Sequence, residues 1–295
     1  MKSLTCLVTG AGGQIGRSLS DAANASAISL FGFDKQKLDI TDYDHTARTI
    51  EAGAPDVIVN TAAFTNVDLA ESESEVAFAV NRDGAGNLAK ICRENGIPLI
   101  HLSTDFIFDG QKHDPYQEDD PADPLSVYGQ SKLEGEHAVR GILEEHIIVR
   151  TSWVFSPYGK NFVKSILSAA RQEKELRVVE DQTGCPTGAV EIAKTILELA
   201  VCTAGDNVTW GTFHYGATPP VSRYEFAVEI ADQCKKTIGT AAAVRPVTAA
   251  AYSAPARRPK RAVLDCSLIT DSYGIIPPPW HPALEKACRS ILAAP

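Results

Sequence analysis

Tyr128 and Lys132 lie four residues apart in the stretch "VYGQSKLEGE", Val127 to Glu136. On a helix that spacing puts the phenol and the amine on one face. A phenol with an ordinary pKa of about 10 is a poor acid–base group at neutral pH. An ammonium beside it favours phenolate and brings the pKa toward working range. Thr104 ends the apolar run "LIHLST", and its hydroxyl can donate to a carbonyl oxygen and orient it. The three side chains suit reduction of a ketone. Tyr128 would supply the proton, and Lys132 would also hold the ribose of a nicotinamide hydride donor.

A seat for that donor precedes them. "LVTGAGGQIGRSL" carries Gly10, Gly13 and Gly16, with Gln14 and Ile15 between the last two, after a strand-like run and at the opening of a helix. Residues without a β-carbon let the backbone approach a pyrophosphate. The helix N-terminus offers it free N–H groups and positive dipole. Asp34 ends the second strand, where an acid grips the adenosine ribose hydroxyls; Lys35 and Lys37 beside it suit a 2′-phosphate. The cofactor is therefore expected to be NADPH or NADH, undecided between the two. In "LDITD", Asp39 stands either near the adenine or as a cap for the next helix.

Strand-like and helical runs alternate up to Trp153, which implies a parallel sheet covered on both faces. The fold class is α/β, a Rossmann-type doubly wound parallel sheet with a smaller mixed C-terminal substrate lobe. The expected division is 1–154 for the dinucleotide-binding part and 155–295 mainly for the substrate lobe, with a strand near 210–216 returning to the sheet. Thr104 then falls at the carboxyl edge, where open α/β sheets bind ligands.

The 295 residues carry a net charge of −9 and no long basic tract, which argues against a nucleic-acid surface. No signal-peptide pattern opens the sequence and no apolar run is long enough to span a membrane. Seven scattered cysteines without a CxxC pair read as free thiols in a reducing cytoplasm, and no metal is expected.

In that order, "TGAGGQIG", "NTAAFTNVDLAE", "STDFIFDG", "YGQSK", "RTSWVFS" and "EDQTGCPT" resemble the extended short-chain dehydrogenase/reductases. More narrowly they resemble the dTDP-4-dehydrorhamnose reductase family, from Cys6 to about Leu284. The resemblance implies reduction of the C4 ketone of a dTDP-6-deoxy-4-hexulose, a dTDP-sugar substrate, with Thr104, Tyr128 and Lys132 as catalytic positions. It implies that Ala62, Ala63 and Thr65 line the cofactor and that Asp39 and Ile40 flank its adenine. Asp105, Phe106, Trp153, Asn161 and Phe162 would line the sugar pocket. Phe106 stands where many relatives have tyrosine, and Ala262 where the family segment has serine. Some relatives dimerise through a metal held by glutamates, one of them just after the glycine motif. Arg17 and Ser18 stand there in this chain, so that metal is not expected; a homodimer is compatible with the resemblance.

Two phosphates need cations, and Arg258 and Lys260 are the best local candidates, with Lys160 and Arg223 behind them. The Trp153 indole can pack on the sugar ring or fill core. His101 and His214 lie inside strands, where histidines are usually packed and hydrogen-bonded, so neither receives a role. A nucleotide-sugar epimerase or dehydratase, or a cofactor-binding regulatory subunit without catalysis, would use the same scaffold. "TDF" lacks the Asp–Glu pair of dehydratases, and the intact Thr104, Tyr128 and Lys132 argue against the regulatory subunit.

Overall fold

The computed structural model describes residues 3–24, 28–172, 175–205, 207–252 and 254–293. The chain opens with β1 (Thr5–Thr9), α1 (Gln14–Ala23), β2 (Ser29–Phe33), α2 (Tyr43–Gly53) and β3 (Val57–Asn60). Short helices α3 (Val67–Ala70) and α4 (Ser74–Phe78) lead through a π-helical turn, Ala79–Gly84, into α5 (Ala85–Asn95) and β4 (Leu99–Thr104). Next come α6 (Val127–Ile142), β5 (His146–Thr151), β6 (Val154–Phe155), α7 (Phe162–Gln172) and β7 (Glu175–Val179). They are followed by β8 (Thr183–Gly184), β9 (Thr187–Gly188), α8 (Ala189–Cys202) and β10 (Gly211–His214). The chain ends with β11 (Val221–Ser222), α9 (Arg223–Ile238), β12 (Ala243–Val247), α10 (Ser267–Tyr273) and α11 (His281–Ala293).

Six strands form one parallel sheet in the order β2-β1-β3-β4-β5-β10. Every residue of β3, β4 and β5 is buried, as expected of strands covered on both faces. On one face α1 and α8 pack through Leu19, Ile192 and Ile196; on the other α5 and α6 pack through Leu88, Ile91 and Val139. The strand order reverses between β1 and β3, which opens a ligand crevice at their carboxyl ends.

α7, α9 and α11 surround a second core centred on Phe226 and Trp280, with three two-stranded pairs at its margin. The later part of the chain also builds the first core. Ile192 and Ile196 of α8, Phe213 of β10 and Ile269 of α10 lie in it, and β10 pairs with β5.

Ser126 starts α6 by accepting from the Gly129 N–H. Two glycines inside α6 are there for close approach. A β-carbon on Gly129 would lie 2.2 Å from the Phe106 carbonyl oxygen, and one on Gly135 2.1 Å from the Asn81 carbonyl oxygen. Alanine at 135 would gain about 1 kcal/mol of helix propensity. Because the opposing atom is backbone, the overpacking cost of about 1–3 kcal/mol outweighs that gain. Gly135→Ala is expected to lower the urea midpoint, measured by far-UV circular dichroism.

Candidate active site

Gly10 turns the chain out of β1 with φ +70°, and a β-carbon there would lie 2.5 Å from the Ala62 nitrogen. Gly13 precedes α1 and brings no capping side chain, so the first N–H groups of α1 stay free for a ligand. Gln14 is fixed from across the crevice: Ser156 Oγ and Asn161 Nδ2 each donate to its Oε1 at 2.9 Å. Asp34 accepts from the backbone N–H groups of Gln36 and Lys37, which shapes the turn after β2.

These residues and the expected reacting groups meet on one cavity of about 920 Å³. Gly10, Gly13, Gln14, Ile15, Asp34, Lys35, Asp39, Ile40, Ala62, Ala63 and Thr65 line its inner part. Thr104, Asp105, Phe106, Tyr128, Lys132, Trp153, Asn161, Phe162 and Arg258 line the rest. Gly16 is the exception. It is buried off the cavity, and a β-carbon on it would lie 2.5 Å from Ala11 Cα. Its smallness serves the packing of α1 on the turn. Asp39 caps no helix: it accepts from the N–H and hydroxyl of Thr41, while Asp42 caps α2.

At the reacting end the Thr104 hydroxyl donates to Asp105 Oδ1 at 3.1 Å. The rings of Phe106 and Tyr128 meet edge to face, 5.6 Å between centroids. Burial pushes the Tyr128 phenol up to about 12; a hydrogen bond with the Thr104 side chain opposes this and the Asp105 charge adds to it. This corrects the expectation that Lys132 brings the phenol down. Lys132 Nζ instead donates to the Leu102 carbonyl at 2.6 Å, and burial draws its pKa to about 8, against the pull of Glu136. A phenol that keeps its proton at neutral pH is a donor, which is the state a carbonyl reduction consumes. Asp105 is buried with Oδ2 unpartnered, and burial raises its carboxyl to about 7.

Trp153 lines the cavity with one face of its indole already engaged. It holds φ +46°, and the Arg223 guanidinium lies 3.6 Å from its ring centroid. That face of the indole is covered by a cation and is not free to stack on a sugar. Arg223 itself lines the cavity.

The sequence matches the family model of the RmlD substrate binding domain over residues 4–292. It is 40% identical over 287 residues to the dTDP-4-dehydrorhamnose reductase of Sinorhizobium fredii, covering 97% of each chain. The chain belongs to the dTDP-4-dehydrorhamnose reductase family. A crystal structure of a family member from Clostridium acetobutylicum superposes with TM-score 0.91 at 34% identity, covering 98% of this chain and all of that one. Another, from Bacillus anthracis in complex with NADP, gives TM-score 0.90 at 32% identity over 97% of this chain and 99% of that one.

In this family member a second cavity of about 1360 Å³ adjoins the first through Phe162, Arg223 and Arg258. Its wall is basic, with Lys112, Arg177, Arg257, Lys260 and Arg261. Arg258 is anchored there by Asp68 at 2.8 Å and the Ala256 carbonyl at 3.0 Å. Behind the reacting groups, buried Glu136 takes three hydrogen bonds from Arg150 and one each from Arg140 and Ser103. This cluster ties α6 to β4 and β5, so it fixes the helix that carries Tyr128. His214 is structural, bonded to the Tyr116 carbonyl. Sequence reading passed over Asn60 and gave no role to His101, which lies against Lys132 with Asn60 behind it. The available signal was a polar side chain in each of two otherwise apolar runs. Among the described residues no helix is long and apolar enough to cross a membrane, and no cluster of His, Cys, Asp or Glu is set to hold a metal.

Proposed function

We propose that the chain reduces the C4 ketone of dTDP-4-dehydro-L-rhamnose to dTDP-L-rhamnose, using NADPH or NADH. The observation that carries this is the meeting of Thr104, Tyr128 and Lys132 with the glycine cradle on one cavity, in a chain of this family. The residues fit a dinucleotide. Gly10, Gly13, Gln14 and Ile15 would hold the pyrophosphate, and Ala62, Ala63 and Thr65 would flank the chain leading to the nicotinamide. Asp34 and Lys35 would meet the adenosine ribose, with Asp39 and Ile40 beside the adenine.

Bound there, the cofactor supplies the hydride. Thr104 donates to the C4 oxygen and orients it. Tyr128 gives that oxygen its proton; the phenol is protonated at neutral pH, the state this step consumes. Lys132 holds the ribose and neutralises the phenolate left behind. Asp105, Phe106, Trp153, Asn161 and Phe162 enclose the sugar. Arg258 and Lys260 take the pyrophosphate toward the basic second cavity. In this reading residues 1–154 hold mainly the cofactor and 155–295 mainly the substrate. The free cysteines, most of them buried, fit a cytoplasmic enzyme.

Incubation with the 4-keto sugar and each reduced cofactor tests this. One mole of cofactor should be oxidised per mole of dTDP-L-rhamnose formed. An isomer formed without cofactor consumption would favour an epimerase. Arg258→Ala is expected to raise KM for the sugar nucleotide roughly tenfold with kcat nearly kept, because a phosphate grip binds substrate and transition state alike. Initial-rate kinetics over substrate concentration check this.

A further inference from the structure

Thr9, Asn60, His101 and Lys132 form a line of polar contacts across the carboxyl edge of the sheet. Thr9 Oγ1 donates to Asn60 Oδ1 at 2.7 Å, and the Ala62 backbone N–H donates to the same oxygen at 3.0 Å. A backbone N–H can only donate, so the oxygen side of the Asn60 amide is fixed. Its Nδ2 then faces His101 Nδ1 at 3.0 Å, and Nδ1 must accept. His101 is 1% exposed. Burial, Lys132 and His146 hold its basicity well below the ordinary value, so the ring is neutral. A neutral imidazole that accepts at Nδ1 carries its proton on Nε2. Nε2 lies 3.4 Å from Lys132 Nζ. The ring thus aims an N–H at a group that, as an ammonium, has only N–H to offer in return. As a neutral amine, Lys132 can accept from Nε2–H and still donate to the Leu102 carbonyl.

We propose that His101 is a positioning residue that, through a tautomer locked by Asn60 and Ala62, favours the neutral form of Lys132 and so sets the pH above which the site loses its ammonium. This rests on the reading of Lys132 as part of the active site. A hydrogen bond given to the neutral form of a group disfavours its charged form. Of the ionisable groups, Glu136 on α6 and His101 on β4 act on Lys132 directly; Tyr128 lies one turn before it on α6 with Asp105 beside that phenol, and Arg150 and His146 on β5 act on Glu136 and His101. Glu136 alone among them draws the amine the other way, and it is itself neutralised by Arg150. From the π-helical turn the neighbour presented to α6 is the Asn81 amide, bonded to Ser131. A lysine poised near working pH can return a proton to the Tyr128 phenolate after turnover, becoming a neutral amine that solvent reprotonates.

The test uses free enzyme labelled with ε-13C lysine, the Lys132 resonance being assigned by its loss in Lys132→Met. Asn60→Asp preserves the shape of the side chain. Its carboxylate requires a proton on His101 Nδ1, which turns the Nε2 lone pair toward the amine. The Lys132 titration midpoint should rise by at least about one pH unit, and the alkaline limb of kcat/KM should follow. His101→Gln keeps an N–H toward the amine, and its midpoint should stay near that of the unaltered enzyme. In the Asn60→Asp/His101→Phe double variant the rise should disappear. An unmoved midpoint in Asn60→Asp, or a rise that persists in the double variant, overturns the proposal. The expected midpoints in an enzyme that reduces no 4-keto sugar would uphold this inference while the functional reading fails.

Discussion

Tyr128→Phe is expected to cut turnover of the 4-keto sugar at least about a hundredfold, the ordinary scale for a lost acid–base group. Cofactor affinity should hardly change, since the phenol oxygen is one contact in a cavity with many. The substitution removes the proton donor. The ring that meets Phe106 edge to face remains, so the local packing survives. Single-turnover kinetics with saturating NADPH isolate the chemical step, and cofactor fluorescence titration measures binding. Near-normal turnover in a folded Tyr128→Phe variant would refute the assignment of the proton donor.

Arg150→Met is expected to destabilise the fold by about 3–5 kcal/mol, the range for breaking a buried ion pair by removing one partner. Glu136 is fully buried, and Arg150 grips both of its carboxylate oxygens at 2.8–3.3 Å. Burial acts to raise the Glu136 carboxyl, but the Arg150 hydrogen bonds and charge, aided by Ser103 and Arg140, hold it below the usual range. A carboxyl depressed in the folded state contributes stability above its unfolded pKa of about 4.3, and that stability is lost as pH falls through the folded value. The deficit of Arg150→Met should therefore be largest near neutrality and shrink in acid. Urea unfolding at several pH values measures it. Arg150→Met combined with Glu136→Leu should recover much of the loss, because no unpaired charge remains. A deficit equal at every pH, and not relieved in the double variant, would mean that packing around the arginine stem dominates.

The glycine cradle, the Thr104 strand end and the Tyr128–Lys132 helix face were legible because each is written in local spacing. GxxGxxG between a strand and a helix, or two residues four apart on one helix face, needs no knowledge of distant neighbours. Residues whose role depends on what packs across from them were misjudged or passed over. Gly16 looks like its two companions in the motif, yet only the folded turn, which sets Ala11 and the Gly10 carbonyl against it, decides that it faces inward. The Trp153 indole reads equally as a sugar platform or as core, and only Arg223, seventy positions on, shows that one of its faces is covered by a cation. The shift of the Tyr128 phenol has the same origin. The helix spacing suggested a neighbouring ammonium, but Lys132 reaches back to the Leu102 carbonyl and burial prevails. His101 looked like packed strand core, and it is; its tautomer became readable only once the Ala62 N–H fixed the Asn60 amide. The return of β10 to the sheet was legible as a strand, but the apolar face of α8, which completes the first core, was not.

The most direct test follows one atom. Cofactor deuterated at the transferable C4 position of its nicotinamide is incubated with the enzyme and the dTDP-4-keto-6-deoxy sugar, and the product is read by mass spectrometry and NMR. One deuterium should lie on sugar C4 of dTDP-L-rhamnose for each cofactor oxidised. Product without deuterium at C4, or deuterium at any other carbon, would contradict a hydride delivered to that ketone in the crevice between β1 and β3.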